Sequence, residues 1–401
     1  MCYRFDSKCG IPQSQSEPCN DKSRDKHMVT DWIWQHEDWP NFCWQDEQLQ
    51  PLLRVAHRNM GYLLGLHSVH CSTLEQQSLA LDTLLANILA SSAIEDERLN
   101  AQSVRSSLAH RLDISEPRPY PTSARSEGLA NLMLDAIDNR NQTLTQERLL
   151  QWHLWLFPAD DRILQRVRVG QLRGDEPMQV VSGQLDQPIV HFEAPPRLGL
   201  AQALTTFIDW FNTSLDNPCL DPLLRAAICH LWVVTLHPFD DGNGRITRAL
   251  TDLALSQADS QSIRLYAMSA TIFAQRADYY RVLGQVQKGS LDVTTWLVWF
   301  LDTLNATLEQ ARQTFTRTLV KNRFWQQRGS ERLNAEQAAL LDRMLLDSDE
   351  NGFLQDITAS RYQKMAGVSK ATATRHLTDL LDKNCLEKMP GGGRNTRYQI
   401  K

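Results

Sequence analysis

The residues best suited to chemistry lie in one short segment, His237-Pro-Phe-Asp-Asp-Gly-Asn-Gly-Arg-Ile-Thr-Arg248. An apolar stretch with helical periodicity precedes it. Pro238 disfavours helical geometry at the residue before it, so this helix should end near Leu236. His237 would then lie at a helix exit rather than on a buried apolar face, where its imidazole can act as a base.

The rest of this segment is suited to binding phosphate. Gly242 and Gly244 allow left-handed backbone angles and a close approach of backbone N–H groups to an anion. A helix predicted to begin near Arg245 points its positive dipole end into the loop, and Arg248 lies one turn further on the same face. Asp241 is the natural Mg²⁺ ligand, because this cation takes a carboxylate together with waters and phosphate oxygens. No Gly-x-x-x-x-Gly-Lys-Ser/Thr loop occurs in the chain, which disfavours a P-loop enzyme.

Helices dominate the predicted elements that must position this segment. Apolar residues recur at three- and four-residue spacing from Gln50 to Glu95, and again over several segments from Leu200 to about Trp325. Between them, residues 178–192 carry β-branched runs around a turn-rich middle, which predicts a β-hairpin. The fold class is therefore mainly α, with one small hairpin.

The pattern His-x-Phe-x-Asp-Gly-Asn-Gly-Arg-x-x-Arg within this segment resembles the signature of Fic-domain proteins at every fixed position. The stretch Val190-His-Phe192 with Pro195-Pro196 resembles the flap of that family, and residues 279–300 resemble its C-terminal helices. The resemblance covers roughly residues 80–310. It implies a protein adenylyltransferase, which moves AMP from ATP to a Ser, Thr or Tyr hydroxyl of a protein, itself included.

The resemblance also implies roles for the motif residues. His237 would be the general base on the target hydroxyl, and Asp241 would hold Mg²⁺. Gly242, Asn243 and Gly244 would cradle the α- and β-phosphates of ATP.

Further positions follow from the same resemblance. Arg245 and Arg248 would neutralise the outer phosphates, where charge builds on the leaving pyrophosphate. Tyr280 matches a position that lines the adenosine end of the nucleotide, with a core aromatic as the alternative. The flap, residues 178–192, would pair with the backbone of the protein target as an added strand.

A built-in inhibitor is implied as well. Many Fic proteins carry an inhibitory helix ending in Ser/Thr-x-x-x-Glu-Gly/Asn, and the stretch from Ser91 through Glu95 matches all but the last position. Ser91 and Glu95 share a helix face, and Glu95 would pair with Arg248 in place of the γ-phosphate. Asp96 stands where Gly or Asn would ease a left-handed helix exit, and its added carboxylate is expected to make the pocket more hostile to phosphates.

The last block of the chain is predicted to form a separate domain. Asn334 with Gln337 can form a capping box, and two further helices precede two short strands, which is a winged-helix layout. Residues 358–401 carry nine Lys/Arg against three acids, a local net charge of +6. That charge makes DNA a candidate partner of the segment.

The predicted architecture is thus a Fic helical core with a small β-hairpin flap, plus a C-terminal winged helix-turn-helix domain. A length of 401 residues suits two or three domains. The predicted boundaries are 1–27 for a disordered extension, 28–115 for an N-terminal helical region with the inhibitory helix, 116–310 for the Fic core, 311–333 for a connecting helix and 334–401 for the winged-helix domain.

Composition favours a cytoplasmic globular protein. Apolar residues make up 42%, charged residues 22%, and the net charge is −5, so the whole chain has no basic excess. Eight cysteines without a Cys-x-x-Cys spacing argue against a zinc site or a disulfide framework and suit unpaired thiols in a reducing cytosol. No apolar run reaches the ~18 residues that span a bilayer, and residues 1–26 lack the apolar stretch of a signal peptide.

Two other functions stay open. In one, the protein is a regulator that senses nucleotides through its Fic domain and binds DNA through residues 358–401. Winged helices also serve in dimerisation or target docking, so a homodimer is a further option. In the other, the pocket with Glu95 positions water and removes AMP from a modified protein. Neither the nucleotide base nor the protein target is named by any residue.

Overall fold

The computed structural model of the protein describes residues 2–5, 12–15, 32–70, 73–158, 167–184, 187–259, 265–328, 332–346, 348–349, 352–353, 356–390 and 396–401. The chain divides into two compact units, Met1–Ala311 and Arg312–Lys401. Both are built mainly from helices, which confirms the fold class expected from the periodicity.

The first unit is built around a set of helices that precede and follow the hairpin. They are α1 (Asp46–His70), α2 (Thr73–Ile94), α3 (Ala101–Arg111), α4 (Ala124–Asp138), α5 (Gln146–Leu156), α6 (Leu200–Thr213), α7 (Pro222–Leu236), α8 (Asn243–Asp259), α9 (Met268–Ala274), α10 (Arg276–Gln287) and α11 (Thr294–Arg328). Helix α7 packs against α8, and α4 packs against α5 and α8.

Helix α7 is the central element of this unit. It begins with a cap, because the Asp221 side chain accepts a hydrogen bond from the Leu223 N–H at 2.9 Å, and it ends at Leu236 as the following proline predicts. Every residue from Leu223 to Leu236 is buried. A helix that is buried on all sides lies inside a core, so the buried surface of α7 is not confined to one face.

The predicted hairpin is present. Strand β4 (Gln179–Gln184) pairs antiparallel with β5 (Gln187–Glu193), and the register shifts between Val180 and Val181. The side chains of these two valines are exposed, by 37% and 50%. Apolar side chains facing solvent at a hairpin edge leave that surface open to a partner.

The tryptophan-rich segment near the N-terminus packs onto this hairpin, as a burial role for Trp predicts. The Trp32 ring meets the Phe192 ring edge-on at 5.4 Å between centroids. The Trp34 indole N–H donates to the Glu193 carbonyl at 2.8 Å, and Trp44 is 2% exposed. The segment therefore braces one end of the hairpin.

A second small sheet has the order β2-β1-β3, with β1 (Cys2–Phe5), β2 (Pro12–Gln15) and β3 (Cys43–Gln45). Two of its strands fall within residues 1–27, where a disordered extension was expected. Four-residue strands leave too short a pattern for periodicity to detect. The remainder of that extension lies outside the described residues.

Cysteine pairing also differs from expectation. Cys43 is disulfide-bonded, whereas the sequence predicted eight unpaired thiols. Cys219, Cys229 and Cys385 are not disulfide-bonded. Spacing along the chain reveals metal and redox motifs, but it does not reveal a bond between residues that only the fold brings together.

Helix α2 is more apolar than the sequence reading allowed. Among the described residues, Gln76–Ile94 is long and apolar enough to cross a membrane by length and composition, with a mean hydropathy of 1.2. That test is also passed by core helices, and 44% of this window is buried. Helix α2 packs against α3, α4, α8 and α9, so its apolar residues contribute to the core of the first unit.

The second unit contains three more helices and a small sheet. These are α12 (Ala335–Leu346), α13 (Ala359–Ala366) and α14 (Lys370–Asp382), with the sheet order β8-β10-β9, and a separate short pair β6–β7; the strands are β6 (Ser348–Asp349), β7 (Gly352–Phe353), β8 (Ile357–Thr358), β9 (Leu386–Lys388) and β10 (Arg397–Ile400). The predicted capping box is present, because Asn334 and Gln337 exchange hydrogen bonds of 3.1 and 2.8 Å. The glycine run between β9 and β10, residues 391–393, lies outside the described residues.

Two helical glycines give a matched test of this packing. A Cβ on Gly128 in α4 would overlap the Trp155 carbonyl oxygen in α5, whereas a Cβ on Gly61 in α1 would meet nothing within 4 Å. Gly128→Ala should therefore lower the free energy of unfolding by about 1–3 kcal/mol, and Gly61→Ala should raise it by about 0.5–1 kcal/mol. Chemical denaturation of both variants measures the difference, and equal stabilities would contradict the close approach of α4 to α5.

Candidate active site

The candidate site begins where α7 ends. His237 takes a left-handed backbone conformation, with φ 49°, and its ring Nδ1 lies 3.1 Å from the Val234 carbonyl oxygen. A carbonyl oxygen only accepts, so Nδ1 carries the proton and Nε2 keeps its lone pair. Burial lowers the pKa of His237 below its usual value, which favours the neutral ring.

A buried arginine anchors this helix exit. The Arg173 guanidinium donates from Nε to the His237 carbonyl at 2.9 Å and from Nη2 to the Pro195 carbonyl. Its backbone N–H donates to the Pro238 carbonyl at 3.0 Å. Because the Arg173 side chain is only 2% exposed, it ties His237 firmly to the chain that follows the hairpin.

The loop after His237 is closed by one residue pair. The Phe239 N–H donates to Asn243 Oδ1 at 2.9 Å, and Asn243 Nδ2 donates to the Phe239 carbonyl at 2.8 Å. Asn243 also begins α8, two residues before the predicted start. Since its amide is bonded to Phe239, any phosphate contact by Asn243 would come from its backbone N–H.

The two loop glycines serve different purposes. Gly242 has a left-handed φ of 82°, and a Cβ there would lie 2.6 Å from a methyl carbon of Leu156. Gly244 lies inside helix α8, and a Cβ on it would overlap the Glu95 Oε1 atom. Only Gly242 uses the backbone freedom predicted for both, while Gly244 makes room for Glu95.

Glu95 reaches the second motif arginine, as the resemblance implies. Arg248 Nη2 lies 2.9 Å from Glu95 Oε1. The same guanidinium donates to the Ser91 hydroxyl at 2.9 Å and to the Ser91 carbonyl at 2.7 Å. Arg248 is 2% exposed, and a charge-assisted pair at such a site is strong.

The first motif arginine has another partner. Arg245 Nη1 lies 2.6 Å from Glu97 Oε2, and its guanidinium carbon lies 5.2 Å from the centre of the Phe157 ring. Its Nη2 approaches Asp241 Oδ1 at 3.4 Å. The two arginines therefore do not share one partner, because each takes a different carboxylate from the segment that follows α2.

Asp96, between those two acids, points elsewhere. It adopts the left-handed conformation with φ 59°, and its two carboxylate oxygens accept from Arg276 at 2.6 and 2.7 Å. These hydrogen bonds hold the pKa of Asp96 below its usual value. The carboxylate is 78% exposed. It pairs with Arg276 instead of adding charge over Gly244, contrary to the expectation that it makes the pocket more hostile to phosphates.

Tyr280 lies beside the same segment. Its hydroxyl donates to the Ile94 carbonyl at 3.4 Å, the Arg276 guanidinium lies 5.6 Å from its ring centre, and it is 40% exposed. Its neighbour Tyr279, at 2% exposed, is the buried aromatic. Tyr280 is therefore not a core residue, and its place at the adenosine end of a nucleotide stays a prediction.

Asp241 lies in the loop itself, directly before Gly242. Its side chain is 53% exposed, and its Oδ1 accepts from the Gly242 N–H at 2.5 Å. Among the residues that the structure describes, no group of three or more His, Cys, Asp and Glu is placed to hold a metal ion.

Comparison with protein families identifies the domain that contains this loop. The model of the Fic/DOC family matches residues 143–255. The chain contains a Fic domain. A second model, described as a domain of unknown function, DUF4172, matches residues 32–114, so the helix that carries Ser91 precedes the Fic domain within a separately recognised region.

Curated relatives align with part of the chain. The "Protein adenylyltransferase Fic" of Nematostella vectensis is 32% identical over 116 residues, which are 29% of this chain and 26% of that protein. The protein of the same name from Drosophila mojavensis is 27% identical over 182 residues, 43% of this chain and 34% of that protein. The chain thus spans about a third or less of the length of these relatives.

Solved structures are similar at lower identity. A Fic family protein from Desulfovibrio desulfuricans G20 is 20% identical, with 88% of this chain and 96% of that chain covered and a TM-score of 0.49. Fic-1 from Caenorhabditis elegans is 19% identical, with 68% and 76% covered and a TM-score of 0.43.

Several residues that support the Fic loop had no motif to reveal them. His153 stacks on Phe239 with 4.4 Å between centroids. Its Nδ1 accepts from the Gly170 N–H at 2.9 Å, so its Nε2–H donates to the Asp241 carbonyl at 3.2 Å. Burial lowers the pKa of His153 to about 4, and the ring stays neutral.

Asp240 is a second such support. Its carboxylate accepts from the Arg168 N–H at 3.0 Å and the Gly174 N–H at 3.2 Å, although this position of the motif is not a fixed one. Lone His, Arg and Asp residues far apart in sequence carry no spacing signal. Glu97 alone could have been noticed, since it lies two residues after Glu95.

Proposed function

We propose that this chain is a protein adenylyltransferase that moves AMP from ATP to a Ser, Thr or Tyr hydroxyl of a protein, itself included. The observation that carries the proposal is the state of His237, a neutral ring whose Nε2 lone pair lies at the start of a loop suited to phosphate. The partial similarity to curated Fic adenylyltransferases supports the same activity.

In the proposed reaction, the target hydroxyl oxygen attacks the α-phosphorus of ATP while its proton passes to Nε2 of His237. A P–O bond to the target forms, the bond from the α-phosphorus to the α,β-bridging oxygen breaks, and pyrophosphate leaves with the electron pair. General-base assistance of this kind contributes ~10²–10⁴-fold in rate. The lowered pKa of His237 keeps the base available at neutral pH.

The loop and α8 would bind the phosphates. The first turn of α8 offers unpaired backbone N–H groups and the positive end of its dipole. Gly242 and Gly244 leave no side chain between these groups and a ligand, and Arg248 would take the outer phosphates.

Asp241 suits a Mg²⁺ ion that arrives with the nucleotide. Its carboxylate is half-exposed, and Mg²⁺ in nucleotide sites needs only one or two protein carboxylates. Because the described residues offer no cluster of three ligands, phosphate oxygens and waters would complete the shell. When bound, the ion would neutralise charge that develops on the pyrophosphate.

Autoinhibition by Glu95 is the second part of the proposal. The Glu95 carboxylate lies against Gly244 and pairs with Arg248 at 2.9 Å, and Ser91 accepts further bonds from the same arginine. A γ-phosphate that needs Arg248 would have to displace Glu95. The resting protein would then be a weak enzyme.

The flap would present the protein target. The side chains of Val180 and Val181 on β4 are exposed, and an extended target segment could add to the hairpin as a further strand. Backbone pairing of this kind is tolerant of sequence, so the target would be chosen by contacts beyond the flap.

Removal of the base is the direct test of transfer. His237→Ala should lower labelling from radioactive ATP by about 100-fold or more, while ATP binding measured by calorimetry is retained because the loop N–H groups remain. His110→Ala, which alters an exposed histidine of α3, is the matched control and should label normally. Labelling at the wild-type rate in His237→Ala would remove His237 from the mechanism.

Removal of the Glu95 carboxylate tests autoinhibition. Glu95→Gly should raise self-modification by about tenfold or more, because Arg248 becomes available to ATP. Mass spectrometry of the modified residues measures the gain, and the double variant with His237→Ala should lose it. Equal labelling of wild type and Glu95→Gly would rule out autoinhibition by Glu95. Faster removal of AMP from a modified protein by the wild type than by Glu95→Gly would favour the reverse reaction.

DNA binding by the second unit is a separate candidate function. On α14, Lys370, Thr374, Arg375 and Thr378 are exposed, while Ala373, Leu377 and Leu380 are buried on the opposite side. A helix with a basic, polar outer face on a small domain is the usual form of a recognition helix.

A duplex-DNA mobility shift tests this candidate. Binding by the full chain should weaken steeply as salt rises, because released counterions drive it. Lys370→Ala with Arg375→Ala should weaken binding by about tenfold or more, whereas Lys288→Ala in the first unit should not. A shift that is unaffected by the double substitution would exclude α14 as the contact.

A further inference from the structure

Glu97 is held between two arginines. Arg245 Nη1 lies 2.6 Å from its Oε2, and Arg125 of α4 pairs with its Oε1. Its backbone N–H donates to the Ser92 carbonyl at 3.0 Å, and its side chain is 17% exposed. Glu97 is therefore fixed to α4 and to the end of α2.

Arg245 lies between two carboxylates at unequal distances. Its Nη1 is 2.6 Å from Glu97, and its Nη2 is 3.4 Å from Asp241. The side chain of Arg245 is 6% exposed and packs over the Phe157 ring. Because attraction between charges falls with distance and is stronger away from water, Glu97 takes the larger share of the guanidinium.

We propose that Glu97 is a positioning residue that draws Arg245 toward itself, limits the pairing of Arg245 with Asp241 to one long hydrogen bond of 3.4 Å, and so leaves the Asp241 carboxylate available to the cation that accompanies the nucleotide. This inference rests on the proposed function, since it takes Mg²⁺ with ATP as the ligand.

The charges around Asp241 determine how the loss of Glu97 should change Mg²⁺ binding. Arg125, Glu97, Arg245 and Asp241 together carry two positive and two negative charges. Without the charge of Glu97, the cluster becomes net positive, and Arg245 can shorten its 3.4 Å contact with Asp241. Both changes disfavour a divalent cation at Asp241. Neither weakens phosphate binding, because added positive charge attracts phosphate.

Calorimetry of ATP binding separates these effects. The parent is the Glu95→Gly variant, in which no Glu95 carboxylate competes with ATP for Arg248. The affinity for ATP is measured with saturating Mg²⁺ and with EDTA. The ratio of the two affinities reports what the cation contributes. In the parent with Glu97→Gln, this ratio should fall by about fivefold or more, while the affinity in EDTA stays the same or rises.

Four further variants make the test specific. Asp241→Asn should remove the effect of Mg²⁺, and adding Glu97→Gln to it should cause no further loss. Glu97→Asp keeps the charge on a shorter side chain and should give an intermediate ratio, which also serves if Glu97→Gln does not fold. Glu127→Gln, which breaks the 3.2 Å pair with Arg111, is the matched control and should leave the ratio unchanged.

The calorimetric results distinguish a positioning role of Glu97 from a structural one. An unchanged ratio in Glu97→Gln and Glu97→Asp, even with a lowered melting temperature, would make Glu97 a purely structural residue. An equal loss of affinity in Mg²⁺ and in EDTA would show that Glu97 orients Arg245 toward phosphate, and either result overturns the inference. Failure of the parent itself to bind ATP would count against the proposed function, because the inference concerns only the Mg²⁺ ratio.

Discussion

The functional features of this chain depend on the short turn that joins α7 to α8. Two hydrogen bonds between the Asn243 amide and the backbone of Phe239, at 2.9 and 2.8 Å, close that turn. They satisfy both polar backbone groups of a residue that is fully buried. With those groups paired, His237 on one side and Gly242 on the other are held in left-handed conformations. The same contacts thus place a base and a phosphate loop together.

A second layer of organisation comes from three consecutive acids after α2. Glu95 pairs with Arg248 and Glu97 with Arg245, while Asp96 between them turns outward to Arg276. The left-handed angle of Asp96 reverses the chain direction, so that the acids on either side face α8. Each motif arginine thereby pairs with one carboxylate of this acidic stretch. One of these pairs covers Gly244, and the other lies beside Asp241.

Local rules explain why so many elements were predictable. The end of α7 followed from a proline one residue beyond His237, the hairpin from β-branched runs around a turn, and the cap of α12 from Asn334 and Gln337. Each of these depends on residues within a few positions of one another, where backbone geometry and side-chain hydrogen bonding act directly. The strands near the N-terminus escaped prediction because four residues are too few to show a periodic pattern, and the disulfide of Cys43 escaped it because cysteine spacing does not reveal such a bond.

The sequence by itself determined the Fic motif, the mainly helical fold class and the Ser91–Glu95 spacing, because these are properties of contiguous residues and helical period. Only the tertiary structure decided that Arg245 meets Glu97, since these residues are 148 positions apart and their pairing depends on how α2 ends against α8. It also gave Asn243 a bracing role and showed Gly244 to be a point of close approach. Such contacts result from packing between distant segments, for which a single sequence carries no periodic signal.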